Sequence, residues 1–347
     1  MAFLRVRPDD DAAVAAAAAI LEAARPVDDP AALEVLPEQY RRWIRYGWDL
    51  HPAEVQLYRP AEESAPVGVL SLNMPVRDNH HLVWSELTVH PARRRQGHGS
   101  AMMAEVLRRT AEAGRTTIWM GCPADDPGPG AFLQQHGFRY ASHDARRHQR
   151  LPDVDPSRVE RLRLEAEPYA RDYDLIRLLP PYPDDLLREI AAVAVAINDA
   201  PMGDLTYEPE VSNLEVMRDI EAARVGRQDL LYRVVARHRL SRELAGHTVM
   251  STEPLQPSRA SQCDTAVSRD HRGHRLGLLL KIEMMHWLAE VEPQLEIVET
   301  FNQADNTHMI TVNEALGYRL DRVFHMYERQ LDSPVSAEQA TADLVDA

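Results

Sequence analysis

Cysteine is nearly absent from this sequence, with Cys122 and Cys263 the only two in 347 residues. So few exclude a disulfide framework, and the lack of a close pair removes the usual signature of structural zinc. Buried thiols are the expectation for both. Long apolar runs are also missing: none reaches the roughly 18 residues of a membrane-spanning helix, and the opening text MAFLRVRPDDD has no signal-peptide hydrophobic stretch. The expectation is a cytoplasmic protein with no membrane partner. There is no basic excess either, since 54 Asp and Glu against 39 Lys and Arg leave a formal charge of −15. Sequence-independent nucleic-acid binding depends on phosphate neutralisation by basic side chains, so a nucleic-acid partner is not expected, while a cationic amine would be drawn in. The hydrophobic fraction of 44% is ordinary for a globule, and 347 residues suit two domains, each large enough for its own core.

What is present is a strand that runs into a glycine turn at Leu87–Gly99, LTVHPARRRQGHG. Such a turn at a helix N-terminus leaves backbone N–H groups free behind the positive end of the helix dipole, which suits a bound phosphate. The signal returns at Thr265–Gly277, TAVSRDHRGHRLG. Val89 and Val267 stand 178 positions apart, and from each valine the matching arginine, Arg94 or Arg272, lies five later and the matching glycine ten later. The carboxylates Glu86 and Asp264 each lie three before. A repeat of that length means two domains of one fold, because solenoid repeats are far shorter. In the second copy Arg275 replaces Gly97.

Arg94–Gly99 fits R/Q-x-x-G-x-G/A, and the chain resembles the GNAT family of acyl-CoA-dependent N-acyltransferases. HRGHRLGLLLK and TFNQADNTHMITVNEALGY in the second half resemble the carboxyl-terminal domain of tandem GNAT proteins from actinobacteria, the architecture of mycothiol synthase. The resemblance implies an α/β (α+β) chain of two tandem GNAT domains, each a mixed, mostly antiparallel sheet flanked by helices, with acetyl-CoA or another acyl-CoA as co-substrate. It implies transfer of a small acyl group to a primary amine of a small molecule. A non-catalytic acyl-CoA-binding protein and an aminoacyl-tRNA-dependent transferase of the same fold are the alternatives; the acidic balance counts against the latter.

Taken in order, Asp9–Ala24 and Ala31–Trp48 read as packing helices, and Val55–Arg59, Val67–Asn73 and Leu82–Val89 as an antiparallel meander. Gln96–Ala113 is an amphipathic helix ended by Gly114, Thr116–Met120 a strand, and Phe132–His136 a short helix. LPDVDPS at Leu151–Ser157 reads as a linker, which gives a first domain at 1–150, a linker at 151–160 and a second domain at 161–332. The second domain has helices at Pro183–Ile197 and Val216–Val225, a meander at Leu230–Arg237, Ala245–Ser251 and Ser261–Val267, then a helix at Leu276–Val291, a strand at Ile297–Phe301 and a helix at Met309–Leu316. Residues 333–347 read as a disordered tail.

Acyl transfer to an amine needs a base, an oxyanion donor and a proton for the departing thiolate. Glu86 and Asp264 are the candidate bases, the alternative being solvated strand residues. The resemblance implies the N–H of Val89 and of Val267 as oxyanion donors, at a point where the strand splays. CoA would lie on Arg94, Arg95, Gln96, Gly97, His98 and Gly99 in the first domain, with Arg93 adding charge. In the second it would lie on Arg272, Gly273, His274, Arg275, Leu276 and Gly277, with Asn302 and Asn306 as further CoA contacts or simple loop caps. The tyrosine that often protonates the thiolate is replaced by Leu133 and by Asn313. His271 and His274 lack partner ligands, so no metal is expected. The loop Asn198–Glu208 is expected to wall the second acceptor cleft, and the reading leans to the second domain for chemistry.

Overall fold

The computed structural model describes residues 1–303 and 305–331, so the tail at 333–347 lies outside the described residues. The chain forms two compact units: Met1–Ser142 with Asp204–Glu208 and the segment from His325, and His143–Gly203 with Pro209–Phe324.

In the first unit β1 (Ala2–Arg5) precedes α1 (Asp11–Asp28) and α2 (Pro37–Tyr46). Asp10 caps α1 by accepting the Ala13 N–H at 3.0 Å, and Pro37 opens α2, so the second helix starts later than Ala31. Strands β2 (Glu54–Arg59), β3 (Gly68–Asn73) and β4 (Leu82–Val89) form the expected meander, with β1 added antiparallel to β2. Then come α3 (His98–Glu112), β5 (Thr117–Pro123), α4 (Pro127–Gln135) and β6 (Arg139–Arg150). Met102, Met103 and Val106 of α3 bury against Val83 and Ile118 on one face of the sheet, while Val14 and Ile20 of α1 bury against Val55, Leu57 and Val69 on the other. Each such side chain taken out of water contributes about 1.5–3 kcal/mol.

The second unit continues with α5 (Pro156–Ala166), β7 (Tyr173–Leu178), α6 (Asp184–Ala194), α7 (Leu214–Arg227), β8 (Leu230–His238), β9 (Leu244–Thr252) and β10 (Arg259–Val267). It ends with α8 (Leu276–Val291), β11 (Ile297–Gln303), α9 (Thr307–Ala315) and β12 (Arg319–Gln330). Strands β7 to β10 run antiparallel in sequence order, covered by α5 and α8 on one face and by α6 and α7 on the other.

The boundary differs from the linker expected at 151–160. Leu151–Asp153 is one 3-10 turn, Asp155 is an N-cap, and Pro156 is the first residue of α5. The strand beyond the fifth in each sheet also comes from the other half of the chain. In the first unit the end of β12 follows β5, with the Leu331 N–H donating to the Thr116 carbonyl at 2.7 Å. In the second, Asp144–Arg150 of β6 pair antiparallel with β11.

Candidate active site

Each sheet opens at the same place. β4 and β5 run parallel and pair only at Leu82–Trp84 with Thr117–Trp119; β10 and β11 pair only at Arg259–Ser261 with Ile297–Glu299. Beyond those pairs β4 and β10 keep only their antiparallel neighbours, β3 and β9. The His90 N–H donates to Val67 of β3 at 2.8 Å, and the Ser268 N–H to Ala245 of β9 at 2.9 Å. Successive N–H groups on a strand point to opposite sides, so the N–H groups of Val89 and Val267 face the opened gap. In β10 a bulge between Gln262 and Thr265 strengthens the bend just where Asp264 stands, whereas β4 pairs with β3 without interruption.

The two glycine turns have one backbone shape and opposite sequences. Arg95 (φ 62°) and Gly97 (φ 82°) are left-handed in the first; Gly273 (φ 87°) and Arg275 (φ 53°) are left-handed in the second. The arginine in place of a glycine therefore keeps the turn, at a backbone cost of about 1–2 kcal/mol. Arg275 stacks its guanidinium on the Tyr169 ring at 4.5 Å, which offsets part of that cost. Neither α3 nor α8 has a side-chain cap, so the first-turn N–H groups are left for another acceptor. A Cβ on Gly97, Gly273 or Gly277 would meet no protein atom within 4 Å, whereas one on Gly99 would stand 3.3 Å from Phe132.

Several expected phosphate-binding side chains are occupied otherwise. Arg94 donates to the Val89 carbonyl at 3.0 Å and forms a two-pronged ion pair with Asp28 at 2.6 and 2.7 Å. Arg272 repeats this, donating to Val267 at 3.2 Å and to Asp199 at 2.5 Å, with Arg269 on the other Asp199 oxygen at 2.7 Å. These arginines tie the turn to the carboxyl end of a helix that packs on the sheet. Arg93 pairs with Glu63. His98 is buried beside Tyr58, its Nε2 without a partner, rather than turned outward. His274 bonds the Tyr169 carbonyl at 2.9 Å, and Leu276 lies in the core. Arg95 and Gln96 remain exposed on the first turn. The pattern Asp-x-Pro, at Asp28 and at Asp199, is the sequence signal that marks both clamps, but the pair stands at a different offset from the turns and counting at one offset passes over it.

The carboxylates differ. Glu86 lies on the α1 and α2 face of β4, at the floor of an open cleft whose walls include Tyr40, Trp43 and Ile44. It reaches solvent, yet the surrounding protein desolvates it, raising its pKa above the usual carboxylate value, and it has no hydrogen-bond or ion-pair partner among the described residues. Solvent contact limits that shift. Tyr40, close to it, is raised by burial and by the Glu86 charge. Asp264 is also raised by burial, but the guanidinium groups of Arg233 and Arg224 pull it back. Arg233 itself bonds His247 at 2.6 Å, and burial with that neighbouring charge lowers His247 to about 3.

Leu133 is a core residue, and Asn313 is fully buried, donating to the Asn302 side chain at 2.7 Å. Asn306 caps α9 by accepting the Met309 N–H at 3.2 Å. Both asparagines thus have internal roles. A tyrosine does approach α4: a Cβ on Gly130, one turn before Leu133, would stand 2.7 Å from the Tyr327 hydroxyl. The loop expected to wall the second cleft is a correction. Asp199 serves the second turn, but Asp204–Glu208 belong to the first unit. There Thr206 donates to Glu328 from N–H and hydroxyl at 2.7 and 2.9 Å, Glu208 and Asn79 exchange bonds at 2.8 and 2.9 Å, and Tyr207 stacks on Trp119 at 6.0 Å. Among the described residues no cluster of metal-binding side chains occurs, and no helix is long and apolar enough to cross a membrane.

A sheet opened beside an uncapped glycine turn, present twice, defines the class. Residues 19–138 match the family model described as the acetyltransferase (GNAT) family. A tandem GNAT protein from the clavulanic acid biosynthesis pathway superposes with a TM-score of 0.78 at 26% identity, over 95% of this chain and 98% of that one. A GCN5-related N-acetyltransferase from Sphaerobacter thermophilus shares the fold, with a TM-score of 0.64 at 15% identity, over 96% and 98% of the two chains. Mycothiol acetyltransferase of Streptosporangium roseum is 33% identical over 129 residues, which are 37% of this chain and 35% of that relative. Residues 19–138 thus carry the GNAT family match, and the chain as a whole has the fold of a tandem GNAT protein.

Proposed function

We propose that this protein transfers an acetyl or other small acyl group from acyl-CoA to a primary amine of a small molecule, and that the first unit carries the chemistry. The reading keeps 1–150 and 161–332 as two GNAT domains by descent, each completed by strand from the other. The observation that carries it is Glu86: a partnerless, desolvated carboxylate at the floor of an open cleft, three residues before the valine whose N–H faces the gap. The amine nitrogen attacks the thioester carbonyl carbon, forming the C–N bond while its proton passes to Glu86. The developing oxyanion takes the Val89 N–H, the C–S bond breaks, and the thiolate is protonated to leave as free CoA. The Tyr327 hydroxyl, held against α4 in place of the tyrosine missing at Leu133, is the candidate donor of that last proton. The pyrophosphate would lie on the N-terminus of α3, with Arg95 and Gln96 beside it.

The second unit is read as an acyl-CoA-binding domain, because Asp264, although raised by burial, is drawn back toward its ionised form by Arg233 and Arg224, as Glu86 is not. This reverses the lean taken from the sequence. The test is a paired one: Glu86→Gln should cut kcat by roughly 10²-fold or more, with Asp264→Asn close to wild type. The opposite pattern would move catalysis to the second unit.

A further inference from the structure

The cleft over Glu86 has mostly apolar walls, with the hydroxyls of Ser71 and Thr88 among its lining. Tyr40, Trp43 and Ile44 come from α2, Leu21 from α1 and Val55 from β2, and among the described residues no Lys, Arg or His lines it. Trp43 remains 44% exposed, so a large apolar surface faces the opening rather than the core. Trp84, 41% exposed, stands one pleat before Glu86 on the same face of β4, edge-on to Trp119 at 6.3 Å. Tyr207 of the Asp204–Glu208 segment extends that row behind Trp119.

From this lining we propose that the first-unit acceptor is an amine carried on an aromatic or branched apolar body, with no second charged group. The proposal rests on the acyl-transfer reading above and names its substrate class. The amino group meets Glu86, the one ionised group in the cleft, and the body covers Trp43 and Tyr40, which gain by losing water and by ring contact. A carboxylate on the acceptor would enter beside Glu86 with no cation to receive it. A second ammonium would lie desolvated among apolar walls. The surroundings of Asp264 supply the contrast, since the guanidinium charges of Arg233 and Arg224 act on that carboxylate.

The experiment uses the full chain and three probes of similar reach: 2-phenylethylamine, phenylalanine and spermidine. Binding is read by calorimetry without acyl donor, and turnover by thiol release from acetyl-CoA. The expected result is kcat/KM for 2-phenylethylamine roughly 100-fold or more above either rival, because an unpaired buried charge is rejected strongly. Trp43→Ala should raise KM for 2-phenylethylamine about tenfold and leave kcat within about threefold, as loss of an aromatic anchor does. Its indole is exposed, and an unchanged melting temperature separates lost binding from misfolding. Preference for phenylalanine or spermidine in binding or turnover, an unchanged KM in Trp43→Ala, or no binding of 2-phenylethylamine overturns the substrate class. Binding of 2-phenylethylamine with no thiol release for any amine would instead sink the acyl-transfer reading and leave the class of ligand standing.

Discussion

Glu86 combines a functional and a structural cost in one group. Burial holds its carboxyl pKa above the usual value, so the folded state prefers the proton. The associated stability is full below the ordinary glutamate pKa and is lost as pH rises through the raised value. Glu86→Gln should therefore melt higher than wild type at pH 7 and equally at pH 4, while losing turnover. In the wild type the acid limb of kcat/KM should lie above the ordinary glutamate range. A lower melting temperature for the variant at pH 7 would contradict this. Tyr327 is also raised by burial and keeps its proton at neutral pH. Tyr327→Phe should lower kcat by roughly 10- to 100-fold and remove the alkaline limb of its profile, with the ring packing and melting temperature retained. Lys281, the only lysine of the sequence, lies 2% exposed in the second core over the Tyr318 ring at 5.0 Å. Burial lowers it to about 7, so stability falls as pH drops from its unfolded value near 10.5 to about 7, by on the order of 4 kcal/mol. Lys281→Met should raise the melting temperature at pH 7 and flatten its dependence between pH 7 and 10.

At the scale of elements, the two turns provide a separation of folding from binding. Gly277 sits in the first turn of α8 with an ordinary backbone and open space where a Cβ would be. Gly277→Ala should keep or slightly raise stability, by up to about 1 kcal/mol in a helix. If the second turn holds a phosphate, the same change should weaken acetyl-CoA binding there about tenfold or more by blocking close approach. Calorimetry on the wild type should give two sites per chain, and only one of them should weaken. Unchanged affinity at both would remove the turn from CoA binding. The linker misreading belongs to this scale too. Proline and aspartate at Asp155 and Pro156 are loop formers in isolation, yet they are equally the N-cap and first residue of a helix.

For the whole molecule, the strand exchange decides what can be cut. A fragment ending at residue 150 lacks His325–Gln330 beside β5 and the Asp204–Glu208 segment over Trp119. It would leave β5 as an open edge and Trp119 uncovered, which favours aggregation. Expressed alone, 1–150 should be insoluble or lack a cooperative melting transition. A fragment that melts cooperatively near the full-length temperature would refute this.

The sequence by itself determined the two meanders, the turns at Leu87–Gly99 and Thr265–Gly277, and Glu86 and Asp264 as carboxylates three before a valine. These are local patterns: alternation, glycine spacing and repetition are written in neighbouring residues. Only the tertiary structure decided which unit received Asp204–Glu208, that the last strands change places, and that Arg94 and Arg272 are held by Asp28 and Asp199. It also separated Glu86, open and without a side-chain partner among the described residues, from Asp264, on which two arginine charges act. Partners that meet from distant points in the chain leave no periodicity along it, so their charges and contacts become readable only once the strands have paired.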